Sequence, residues 1–354
     1  ECIDLSGNQT FTIKVLDITP PFAPIEPDLQ YTSDTGPFNT DNITNDNTPT
    51  FDISGVESNS TVTFYRNGVV LGTLLIPAGQ STGTFTPSTP MSDGTYIITA
   101  MQTDAAGNPS AVSAAMAPNL VIDTAIPTQP NMPDLRLTSD SGPNNTDNIT
   151  NDNTPIFDIT GLESNSTVTV YGNGEVLGTM VIPAGQSTGS FTRATPMTDG
   201  TYAITATQAD VAGNVSYASQ SMAPNLVIDK VAPAASNAPD LQSTSDSGPS
   251  NMDNITNDDT PTFDISGLES RATVTLYANG TVIGSTVVPA GDNLVIVTSS
   301  VLSDGPYVIR ARQRDEAGNE SDLSAAMAPD LVIDKTAPAA SNTPDLQYTS
   351  DSGL

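Results

Sequence analysis

Histidine and tryptophan are absent from the 354 residues, and cysteine occurs once, at Cys2. Without histidine there is no Ser-His or Cys-His pair for nucleophilic catalysis. A single thiol leaves neither a disulfide within the chain nor the ligand set of a transition-metal centre. Lys and Arg together number 10 against 40 acidic residues, for a formal charge of −30. A surface so acidic repels nucleic acid and anionic lipid, which excludes both as partners. No apolar run reaches the ~18 residues that a membrane span needs, so no membrane insertion is expected of these residues. No glycine-rich phosphate loop is present either; Ile122-Asp123 leads into proline rather than into a helix. Paired carboxylates suffice for glycoside cleavage in principle, but no long loop builds a pocket and the same surface recurs three times. Catalysis is not expected.

What is present is a repeat. The phrase PDL-x-x-TSD-x-G opens at Asp28, Asp134, Asp240 and Asp345, with spacings of 106, 106 and 105 residues. Solenoid units run at roughly 20–50 residues, so a period this long is a domain. The reading is residues 1–27 as the tail of a preceding module, full repeats at 28–133, 134–239 and 240–344, and residues 345–354 as the first strand of a following repeat. The charge is spread over the three full repeats as about −8, −7 and −10.

Within the first repeat, Thr50–Ser54 and Thr61–Tyr65 alternate apolar and polar residues and are rich in β-branched side chains, the mark of half-buried strands. Asn67-Gly68 then separates Tyr65 from Val69-Val70-Leu71, a strong type I′ hairpin signal that recurs at Asn173-Gly174 and Asn279-Gly280. A short strand at Thr82–Thr86, a turn at Asp93-Gly94, a long strand at Thr95–Thr103 and a last one at Leu120–Ile122 complete the set. No segment has helical periodicity. About seven short strands at regular spacing predict an all-β chain of tandem immunoglobulin-like β-sandwiches. Tyr96, Tyr202 and Tyr307 hold the place of a tyrosine corner and are structural. Proline-rich linkers such as 123–134 are stiff and extended, which predicts a linear rod.

The ordered motifs SDTG at 33–36 (SDSG in the later repeats), TDNITNDNTPTFDISG at 40–55, Asn67-Gly68, SDGTYIITA at 92–100, DAAGN at 104–108 and LVIDTAIP at 120–127 resemble the bacterial Ig-like repeats of giant surface adhesins and biofilm proteins. Cys2–Asn8 followed by Phe11–Asp17 resembles the end of a hyalin-repeat module, another Ig-like sandwich. The resemblance implies an extracellular, cell-surface protein whose repeats space a binding tip from the cell, with calcium at the domain junctions.

The acids favour that reading on their own account. Aspartate outnumbers glutamate by 32 to 8, and short carboxylates in loops suit turns, caps and hard-cation ligation. Eight aspartates recur in every full repeat, whereas basic residues drift: Arg66 becomes Gly172 and Ala278. In an Ig sandwich the loop after the first strand lies at the opposite end from the loop before the last. The bottom of one repeat then meets the top of the next. The candidate Ca²⁺ ligands around the first full repeat are Asp17, Asp28, Asp34, Asp41, Asp46, Asp104, Asn108 and Asp123. In the second they are Asp134, Asp140, Asp147, Asp152, Asp210, Asn214 and Asp229. In the third they are Asp240, Asp246, Asp253, Asp258, Asp315, Asn319 and Asp334, with Asp345 beyond. Asx-turns explain several of these without metal; Asp52 reads as a solvent-facing strand residue and Asp93 as part of the turn before Tyr96.

The function expected is a structural shaft whose partners are the adjacent repeats of the same polypeptide. The rivals are a carbohydrate- or receptor-binding module, or a subunit of a self-assembling extracellular filament in which neighbouring copies meet.

Overall fold

A computed structural model describes residues 16–344. They fall into two compact units, one comprising the described residues up to 134 with 158–191 and 204–222, the other 135–157, 192–203 and the described residues from 223 on. The segment up to Val15, where the end of a hyalin-repeat module is expected, and the terminal segment that includes Asp345 lie outside the described residues. Every regular element among those described is a strand.

The first repeat has nine: β1 (Asp28–Leu29), β2 (Ile43–Thr44), β3 (Phe51–Ser54), β4 (Thr61–Arg66), β5 (Val69–Leu75), β6 (Thr82–Phe85), β7 (Gly94–Tyr96), β8 (Ile98–Thr103) and β9 (Leu120–Ile122). They form three small sheets in the orders β1-β3-β6, β5-β4-β8 and β2-β9-β7. Period-2 alternation turns Phe51, Ile53, Val62, Phe64, Ile98, Ala100, Leu120 and Ile122 into the core. Phe64 stacks on Phe85 with centroids 4.4 Å apart. Phe85 also stands opposite Phe51 across the sheet; in the third repeat Val297 stands opposite Phe263, the counterpart of Phe51, and a separate core is built around Phe263, Ile265, Val274 and Leu276.

The hairpin joining β4 and β5 has both central residues at positive φ, Asn67 at 51° and Gly68 at 80°, as a type I′ turn requires. Its asparagine does more than turn the chain. Asn67 Oδ1 accepts from the Ile97 amide at 2.8 Å, and the Asn67 amide donates to the Ile97 carbonyl at 2.9 Å. That exchange takes Ile97 out of the ladder and divides the strand expected at 95–103 into β7 and β8. The tyrosine corners are present: the Tyr96, Tyr202 and Tyr307 hydroxyls donate to the carbonyls of Ser92, Thr198 and Ser303.

Two features lie beyond the sequence pattern. β2, two residues long, runs parallel to β9, inside what reads as a loop. The proline-rich linkers are docked rather than free: Ile25, Asn131 and Asn237 donate their amides to Ser54, Thr160 and Ser266, continuing past the start of each first strand.

Candidate junction site

The turn Asp210-Val-Ala-Gly-Asn214 closes on itself. Asp210 Oδ1 accepts from the Asn214 amide at 2.9 Å and Oδ2 from Asn214 Nδ2 at 2.9 Å. The same Nδ2 reaches 2.8 Å to the carbonyl of Asp123, at the end of the preceding repeat. The arrangement recurs as Asn319 with Asp315 and the Asp229 carbonyl, and as Asn108 with Asp104 and the Asp17 carbonyl. Hydrogen bonds from Asn108 hold the Asp104 carboxyl below its usual range.

The loop after β1 meets the far side of this turn. Thr35 Oγ1 donates to the Ala212 carbonyl at 2.6 Å, and Ser141 Oγ does the same to Ala317. Gly36 and Gly142 follow, at φ +95° and +105°, and a Cβ on either would collide with the carbonyl of Val211 or Glu316. Glycine is required there by conformation and by close approach together.

A third tie is a glutamine inside the sandwich. Gln208 is fully buried; its Nε2 donates to the Thr128 carbonyl at 2.7 Å and its Oε1 accepts from the Glu163 amide at 2.7 Å. Gln102 and Gln313 make the same bonds to Phe22 and Glu57, and to Ala234 and Glu269. Each linker is thereby fastened to the repeat that follows it.

A hollow at the head of the first repeat is lined by Asp17, Glu57 and Asp104. At the junction before the third repeat, burial, then the charges of Asp315, Asp229 and Glu316, hold the Glu269 carboxyl above its usual range. Arg271 offsets part of this by pairing with Glu316 at 3.6 Å. Negative charge does converge at this seam. Yet among the described residues no group of three or more His, Cys, Asp or Glu side chains is gathered closely enough to hold a metal ion. The Asp104, Asp210 and Asp315 carboxylates are occupied by their asparagines.

The remaining sequence candidates are placed as follows. Asp41, Asp147 and Asp253 accept the amide two residues on, as do Asp46, Asp152 and Asp258, which is Asx-turn chemistry. Asp123, Asp229 and Asp334 do likewise at the exits of the last strands, and Asp17 accepts from Thr19. Asp28 and Asp240 stand opposite Asp52 and Asp264 across the sheet, and Asp134 opens the corresponding strand of the middle repeat. Burial, then Asp28, raises the Asp52 carboxyl. Asp34, Asp140 and Asp246 are buried and accept the amides of Asn42, Asn148 and Asn254. Oδ1 of Asp34 and of Asp246 has no hydrogen-bond partner. Burial, with the charges of Asp41 and Asp28, raises the Asp34 carboxyl against the lowering effect of the Asn42 amide.

Residues 21–124, 126–230 and 233–335 each match the family model described as bacterial Ig-like domain. The chain belongs to the bacterial Ig-like domain family. No curated protein matches it significantly. Solved structures similar to these Ig-like repeats include an adhesin of an Antarctic bacterium, described as Ca²⁺-stabilised and ice-binding (18% identity, 88% of this chain and 75% of that one, TM-score 0.34). Another is the BSP domain of a biofilm-associated protein (14% identity, 91% and 69%, TM-score 0.21). The FN1–FN3 domains of chicken CNTN1 are a third (11% identity, 88% and 99%, TM-score 0.32).

The junction of these Ig-like repeats uses residues that sequence reasoning passed over: the three glutamines, Glu57, Glu163 and Glu269, and the hydroxyls of Thr35 and Ser141. The glutamines carried a readable signal. In Ile98-Thr-Ala100-Met-Gln102 the inward positions are Ile, Ala and Gln, so a polar residue occupies core register in all three repeats.

Proposed function

We propose that this chain is the shaft of a long secreted or surface-anchored bacterial adhesin or extracellular fibre, in which identical joints hold successive sandwiches in a row. The observation that carries this reading is that the same joint is made twice by equivalent atoms: hydroxyl to Ala212 or Ala317, asparagine to Asp123 or Asp229, glutamine to Thr128 or Ala234. A spacer needs each end to fit the next unit, whereas a catalyst has no use for repeated copies of one joint. Each of the three side-chain ties contributes about 0.5–1.5 kcal/mol net, so a joint resists bending while each sandwich keeps its own core.

Calcium is the second part of the proposal, and the convergence of charge on Glu269 favours it. Among the described residues no three carboxylates are gathered closely enough to hold the ion alone, so Asp17, Glu57 and Asp104, which line the hollow at the first junction, and Asp229, Glu269 and Asp315 at the last would share it with main-chain oxygens. Ca²⁺ accepts 6–8 oxygen ligands at adaptable geometry and would neutralise the carboxylates there. The unpartnered Oδ1 of Asp34 supplies a further lone pair in the loop that faces the joint with the second repeat.

Small-angle scattering and thermal unfolding of the whole chain, with Ca²⁺ and with chelator, test both parts. An extended particle is expected, with a lower melting midpoint and greater flexibility after chelation, because a ligand stabilises the state that binds it. A folded-back particle in either condition sinks the shaft. An extended particle indifferent to chelator, in both dimension and midpoint, keeps the shaft and sinks calcium.

A further inference from the structure

The three repeats are near copies, but one sheet face of the third departs from the others. Its strand Ile309–Arg314 alternates buried and half-buried residues, which sends Arg310, Arg312 and Arg314 to the outer face. The equivalent residues are Thr99, Met101 and Thr103 in the first repeat and Thr205, Thr207 and Ala209 in the second. Three of the chain's 10 basic residues therefore stand in one row. Two of them, Arg310 and Arg312, line a shallow groove on the same face together with Tyr277, Val308 and Leu323.

Each guanidinium is tethered through one nitrogen. Arg310 Nη1 donates to the Ser324 carbonyl at 2.7 Å, Arg312 Nη1 to Glu320 at 2.9 Å, and Arg314 Nε to the Gly318 carbonyl at 3.3 Å. Arg312 Nε is buried without a partner, so it is the terminal Nη groups that face a ligand. With five N–H donors on each group, most of the donating capacity on this face is uncommitted. Glu320 is itself exposed, and a surface pair of that kind holds its partner weakly, so an incoming carboxylate can displace it.

We propose that this face of the third repeat binds the carboxylate of an acidic sugar carried on an otherwise neutral glycan. Arg310 and Arg312 receive the carboxylate, and the ring of Tyr277, directly opposite Arg310 in the ladder, offers a flat surface for the apolar side of the pyranose. A peptide is a poorer fit. Extended peptides dock by adding to a free sheet edge, but the outer edge of 309–314 is already covered: Ser321, Ser324 and Met327 donate their amides to Gln313, Ala311 and Ile309. A densely charged polyanion is disfavoured by the charge of about −10 on this repeat, which repels it at long range. An isolated carboxylate meets only the local arginines. This inference stands apart from the shaft and calcium readings, because it concerns the flank of one repeat and no joint.

The test is calorimetric titration of the whole chain with a neutral trisaccharide capped by one glucuronate, and with the same trisaccharide capped by glucose. Saturable binding of the glucuronate form is expected, about tenfold or more tighter than the glucose form, as a lost charge-assisted hydrogen bond implies. Arg310→Thr with Arg312→Thr installs the pair that the second repeat already tolerates, so the fold is kept and binding should be lost; Tyr277→Ala should weaken both forms. The proposal is overturned by equal binding of the two sugars, by no binding of the glucuronate form, by unchanged binding in the double threonine variant, or by an acidic pentapeptide that binds more tightly than the sugar.

Discussion

Glu269 is held above its usual carboxyl range by burial first, then by Asp315, Asp229 and Glu316. A carboxyl whose folded pKa is raised favours the folded state while protonated. Its contribution is complete below the unfolded value and is lost as pH rises through the folded value. In metal-free buffer, Glu269→Gln should therefore raise the melting midpoint at pH 7 relative to the parent, and the gap should close as pH falls towards 4. Asp104 runs the other way: its lowered pKa gives stability that is present at neutral pH and lost on acidification. Scans of both chains by differential calorimetry across that window decide the point; a Glu269→Gln chain no more stable than the parent at pH 7 would show that the seam charges are already neutralised.

Gln208 joins an element to a linker, and its loss should be felt in both. Gln208→Met keeps the volume but leaves the Thr128 and Gly161 carbonyls and the Glu163 amide without their partner. The expected cost is about 2–4 kcal/mol, together with faster hydrogen exchange at 124–131 and unchanged protection in the strand core. Exchange followed by mass spectrometry reads both regions at once. The fold around this residue was legible in the chain because alternation, Asn-Gly hairpins and turn residues all act over a few positions. The junction was less so. Two-residue β2 is too short to leave a period, the break at Ile97 depends on an asparagine 30 residues away, and the ties to Thr128 and Asp123 end on main-chain carbonyls that no side-chain pattern announces. Asp41 and Asp46 invited a metal reading because a turn and a cation ask for the same short carboxylate.

At the scale of the whole molecule, the joints depend on one repeat ending and another beginning, and on little that distinguishes one repeat from its neighbour. Excising 134–239, so that Pro133 runs directly into Asp240, should leave a folded chain. Thr35 would then face Ala317, and Gln313 would take the Thr128 carbonyl. Unchanged linker protection in hydrogen exchange, and a midpoint close to that of the parent, are the expected outcome. A chain that aggregates or loses linker protection would mean that each joint is matched to its own pair.

The acceptors at Asp123, Thr128 and Ala212 are all backbone carbonyls, and this bears on how such a chain changes over generations. A peptide oxygen is the same whatever side chain its residue carries. Substitutions that accumulate on either partner therefore leave the coupling intact, provided the main chain keeps its course. Copies can be gained or dropped by unequal recombination without any compensating change at the new boundary. Length becomes a quantity selection can adjust by whole repeats, while a single repeat, like the third with its row of arginines, is left free to diverge on its flank.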